Sequence, residues 1–120
     1  MSRVALEELR APIADKLDTL VLSGRFPFTS SLPHIDFALE TSKFLLKLGV
    51  KEQDVFPGLH GEVRVTGYIA RGYLEITKES NDALEYVLMK QGAETGLSVG
   101  DDVTIDQLRH AVIKFVEENS

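Results

Sequence analysis

The chain has no cysteine among its 120 residues. That excludes disulfides, a thiolate nucleophile and any cysteine-ligated metal, and it suits a reducing compartment. Positive charge is scarce as well, with 13 Lys and Arg against 19 Asp and Glu and a formal net charge of −6. The deficit is uneven: residues 1–60 hold 7 basic and 8 acidic side chains, whereas residues 61–120 hold 6 and 11. An acidic half lacks the counterion-release term that drives binding to phosphate backbones, and no Lys/Arg stripe with interleaved aromatics offsets it. Nucleic acid is therefore not an expected partner. Long apolar runs are missing too, since none approaches the ~20 residues of a membrane span. The opening Met1–Glu8 carries Glu7 and Glu8 where a signal peptide needs an unbroken apolar stretch. The expectation is a soluble, cytoplasmic protein with no membrane partner.

Reaction motifs are equally sparse. His34, His60 and His110 lie far apart in the chain and form no His-x-x-x-His spacing. No serine sits in a Gly-x-Ser-x-Gly elbow. The glycines at 92, 96 and 100 lack a following Gly-Lys-Ser/Thr, and Asp101-Asp102 would repel a phosphate. No catalytic residue, metal or cofactor is expected.

What the chain does contain is a meander. In Glu62–Ile69, the residues Val63, Val65 and Ile69 alternate with Glu62, Arg64, Thr66 and Tyr68, the period-2 pattern of a half-buried strand. Tyr73–Thr77 repeats it with Leu74 and Ile76 inward, and Ala83–Met89 forms a third strand. A two-residue loop at Arg71-Gly72 would set Ile69 opposite Leu74 and Gly67 opposite Ile76, making the apolar faces coincide. A three-residue loop would invert one strand. After the turn-rich Lys78–Asp82, matching Leu84 with Ile76 and Tyr86 with Leu74 keeps the same face apolar.

This register has consequences on the outer face. Glu75 and Glu85 come out directly opposite, a mildly repulsive arrangement. With Arg64 nearby they form the one carboxylate-pair or ligand candidate, because like charges at cross-strand distance can share a proton. Val87 and Met89 also point outward beside Tyr68 and Tyr73. These four residues are the candidate interface, since apolar side chains contiguous with aromatics mark contact surfaces.

Three helical segments surround the strands. Residues 4–22 carry Leu6, Leu9, Ile13, Leu17, Leu20 and Val21 at helical spacing, and Pro12 either kinks that helix or opens a new one. After a loop at 23–31, a second helix is expected to begin near Pro33 and to end at Gly49. It is apolar around most of its circumference. Residues 51–58 read as a turn, and Leu97–Val99 as a short strand within a glycine-rich loop. The last helix is the best marked, with Thr104 as N-cap, Gln107 completing a capping box, and a stripe of Ile105, Leu108, Ala111, Val112, Phe115 and Val116.

The sequence Gly61-Glu62-Val63-Arg64-Val65, Tyr73-Leu74-Glu75-Ile76 and Leu84-Glu85-Tyr86-Val87-Leu88, preceded by an apolar helix and a proline-containing link, resembles small bacterial proteins of unassigned function. The resemblance covers about half the chain and departs from the usual pattern, which has a tryptophan after the first strand. It implies no active site or partner.

The expectation is one α+β domain spanning 1–120, with a three- or four-stranded antiparallel meander at about 61–90 packed against N-terminal helices and a C-terminal helix. The expected role is a protein-interaction or self-associating module, with a second copy or another protein as partner. A small-molecule binder or enzyme using Glu75, Glu85 and Tyr68 is the alternative.

Overall fold

The computed structural model describes residues 28–58, 60–92 and 97–120. The expected helix at 4–22, the role of Pro12 and the start of the 23–31 loop lie outside these residues. Within them the order is α1 (Phe28–Lys47), β1 (Glu52–Pro57), β2 (Val63–Ile69), β3 (Gly72–Lys78), β4 (Leu84–Lys90), β5 (Leu97–Val103) and α2 (Ile105–Asn119). The strands form one antiparallel sheet in sequential order, β1-β2-β3-β4-β5. Both helices lie on its inner face, α1 over β2 and α2 over β4 and β5.

The fold is thus α+β with an antiparallel meander, but the sheet has five strands rather than three or four. β1 escaped the alternation test because one of its inward positions is Gln53, beside Val55. Gln53 serves as a tie to α1: Ser42 Oγ donates to its Oε1 at 2.5 Å, and its Nε2 donates to the carbonyls of Ser42 (3.2 Å) and Val50 (2.7 Å). β5 runs on past the expected Leu97–Val99 to Val103, a length the alternation conceals because its apolar residues, Leu97 and Val99, face outward and Ser98 and Gly100 face inward.

The strand faces follow the expected parity, whereas the pairings slip by two residues. The tight turn is Ala70-Arg71, so Ile69 pairs with Gly72, Gly67 with Leu74 and Val65 with Ile76. Across β3 and β4, Ile76 pairs with Tyr86 and Leu74 with Leu88. The turn is held by partners distant in the chain. The Arg71 amide donates to the Asn119 carbonyl at the end of α2 (3.1 Å), and its own carbonyl accepts from the Gln91 amide (2.9 Å). Two hairpin tips and a helix terminus are pinned together.

The helices bury identical spacings. α1 buries His34, Ala38, Thr41, Ser42 and Leu45, and α2 buries Leu108, Val112, Phe115, Val116 and Asn119. Each is an i, i+4, i+7, i+8, i+11 stripe, the signature of one face of a 3.6-residue helix. α1 begins at Phe28 rather than at Pro33. A proline removes one bond to the residue four before it, which does not by itself prevent the preceding turn from being helical. The helix ends as expected. Gly49 adopts φ 91°, Val50 N–H donates to Leu45 O (2.9 Å) and Gly49 N–H to Leu46 O (3.0 Å), a Schellman closure. At α2 the capping box forms between Thr104 and Gln107, with reciprocal bonds of 2.9 and 3.1 Å. Ile105 departs from the expected stripe and is 41% exposed.

The core is continuous: Ala38, Leu45 and Val50 from the α1 side, Val55, Val63, Val65, Leu74, Ile76 and Leu88 from the sheet, and the α2 stripe. Among the described residues no helix is long and apolar enough to cross a membrane.

Candidate functional site

The outer face of the sheet carries no helix among the described elements. Its side chains fall into rows that run across the strands. One row is Glu52, Tyr68, Tyr73, Met89 and Leu97, each the direct cross-strand partner of the next. The adjacent row is Asp54, Thr66, Glu75, Val87 and Val99. The four interface candidates, Tyr68, Tyr73, Val87 and Met89, therefore share one contiguous patch. Leu97 and Val99 extend it to the sheet edge.

Exposure is high at four of the apolar side chains, Tyr68 (42%), Met89 (43%), Leu97 (52%) and Val99 (61%), whereas Tyr73 and Val87 are half-buried and Thr66, in the same row as Val87, is buried. The rings of Tyr68 and Tyr73 stand 5.4 Å apart between centroids, tilted by 44°. This is the offset geometry that aromatic quadrupoles favour. An open hollow of about 430 Å³ lies at the band's end, lined by Tyr68, Tyr73 and Met89 together with the two hairpin tips.

The carboxylates do not stand where the sequence reading put them. Glu75 faces Val87 and Glu85 faces Thr77, so the two are diagonal neighbours rather than an opposed pair. Glu75 is already engaged: the Tyr73 hydroxyl donates to its Oε1, and Arg64 Nε lies 3.9 Å from its Oε2. Tyr73 is in turn held well above the ordinary phenol pKa, by partial burial first, then by the hydrogen bond to Glu75 and that carboxylate's charge. It stays a neutral donor. Arg64 thus functions as a counter-charge for Glu75.

Glu85 has different companions. It shares a hollow of about 250 Å³ with Arg64, Glu75 and Glu79, and it borders another of about 550 Å³ with Asp101 and Asp102. Its pKa is pushed up to about 7, first by burial, then by a hydrogen bond with Asp101 and by the charge of Glu79. These neighbours were not foreseen. Asp101 and Asp102 occupy an irregularity of β5 opposite Glu85, where pairing passes from Tyr86–Gly100 to Leu84–Val103, and Asp102 turns with φ 50°. Nothing in a two-residue alternation signals such a bulge.

The polar groups elsewhere are structural in setting. His34 is 5% exposed on α1, and its Nε2 meets the Glu79 carbonyl at 2.9 Å. His60 lies exposed in the β1–β2 loop and His110 exposed on α2. Among the described residues no three His, Asp or Glu side chains are grouped to hold a metal ion.

Comparison with protein-family models, with curated proteins and with solved structures finds no match for this chain.

Proposed function

We propose that the protein is an interaction module that engages a protein partner, another copy or a different chain, through the outer face of its sheet. The observation that carries this reading is the row Tyr68–Tyr73–Met89–Leu97 with Val87 and Val99 beside it. Six contiguous apolar or aromatic side chains lie on a face that no described helix covers. Soluble proteins rarely leave such a patch bare, because apolar area in water costs roughly 25 cal/mol per Å². Aromatic and methionine side chains are also the types enriched at interface centres.

A small-molecule or enzymatic role draws less support. The core behind the sheet is filled by α1 and α2. Glu75 is spent on Tyr73 and Arg64, and the hollows around Glu85 are open surface lined mainly by polar residues.

The test is the native mass of the protein drawn gently from its own cells, set against a Met89→Glu/Val99→Glu variant. The wild type is expected above the 13.3 kDa of one chain. The variant, with an unchanged circular dichroism spectrum, is expected at that mass. A wild type that runs bare at one chain's mass ends the proposal.

A further inference from the structure

We infer, on the strength of that reading, that the occupant of this face is a protein segment in which apolar anchors are followed by lysine or arginine, rather than a second copy presenting the same face. The apolar band does not end in neutral surface. One row beyond Val87 and Val99 stand Glu85 and, at the β5 bulge, Asp101, with Glu79 alongside in the β3–β4 turn. Same-face side chains two residues apart on a strand are separated by about 7 Å. A basic side chain one helical turn, or two strand residues, past an apolar anchor would reach these carboxylates while the anchor rests on Val99.

The carboxylates want such a charge. Among the described strand positions Arg64 is the cation of this face, and Glu75 already holds it at 3.9 Å. Glu85, Asp101 and Glu79 are left crowding one another, which adds to burial in raising the Glu85 carboxyl. An incoming ammonium or guanidinium would relieve that repulsion and replace it with attraction. A symmetric partner would do the opposite, bringing a second set of the same acids from a half-chain that carries 11 acidic and 6 basic residues. The band is also most exposed at β5, the last of the described strands, so a segment can approach from that side.

The test uses the whole protein and two synthetic 18-residue helical peptides with the same leucine stripe. One has lysines a turn beyond the leucines, and the other has glutamates there. Fluorescence anisotropy at pH 8 and low salt is expected to give the lysine peptide at least tenfold tighter binding. The advantage should shrink at pH 6, where Glu85 is largely protonated, and in a Glu85→Gln/Asp101→Asn variant. Glu79 and Asp101 are the charged groups that act on Glu85, and Glu62, Arg64, Glu75 and Asp102 line the same hollows. Val99→Glu, at a position 61% exposed, should lower the affinity for the lysine peptide, and Val99→Ser provides a milder change at the same place. Equal affinity for the two peptides, or binding of neither, overturns the inference. So does a native mass twice that of one chain that collapses on Val99→Glu, although that outcome keeps the interaction reading. Lysine-peptide binding indifferent to both Val99 variants overturns the interaction reading as well.

Discussion

The ring of Tyr86 lies flat against Gly100 across the β4–β5 pair, and a β-carbon on the glycine would fall inside van der Waals contact with the ring's Cε2, Cζ and Cδ2. The aromatic ring fills the space that a side chain at 100 would claim. Gly100 is therefore a packing requirement of β5, and the glycine that invited comparison with a phosphate loop has a steric explanation.

Gly100→Ala should then destabilise the fold by about 2 kcal/mol, within the range for overpacking a filled site. Trimming the ring should recover part of the loss. In urea denaturation, Gly100→Ala/Tyr86→Val is expected to cost less than the two single changes added together. Strict additivity would mean that the ring and the glycine are energetically independent.

Gln53 is the second place where one side chain holds two elements together. Its amide makes two bonds to Ser42 of α1 and one to Val50 just beyond it, and Ser42 is fully buried. Gln53→Ala would strand the Ser42 hydroxyl and the Val50 carbonyl, a loss of about 2 kcal/mol. Amide hydrogen exchange should show the effect concentrated in β1 and the end of α1. A loss spread evenly over the sheet would argue against this tie.

At α2, Thr104→Ala removes the acceptor for the Gln107 amide and should cost about 1 kcal/mol in chemical denaturation. Gln107→Ala, which gives up only the reciprocal bond at an exposed site, should cost less. The reverse order would mean that the box is held mainly from the glutamine side.

These elements also show how far the sequence could be read. The capping box at Thr104 was legible because its chemistry is local, a side chain and an amide three residues apart. The strand faces were legible because alternation distinguishes odd from even. A slip of two residues is invisible to a pattern of period two. What decides between Arg71-Gly72 and Ala70-Arg71 is a bond to Asn119, 48 positions away in the chain. The same blindness misplaced Glu75 against Glu85. β1 was hidden because Gln53 puts a polar side chain inward, and β5 because Leu97 and Val99 point outward. Tyr68, Tyr73, Val87 and Met89 fell on a common face in both readings because their parity, unlike their partners, survives a two-residue slip.

Glu85 gives the protein a stability that depends on pH near neutrality. Its folded-state pKa of about 7 lies above the ordinary glutamate value of 4.5, so between those values the folded chain binds more protons than the unfolded one. Stability from this group therefore falls as pH rises from about 4.5 to 7, and the repulsion with Glu79 and Asp101 is fully present above that. Glu85→Gln removes the charge and keeps the shape. At pH 8 the variant should be more stable than the wild type by about 0.5 kcal/mol, the scale of a like-charge pair on a sheet surface. At pH 5 the two should nearly coincide. Urea midpoints at the two pH values read this directly, and a Glu85→Gln gain of the same size at both would show that charge crowding at the bulge is not its source.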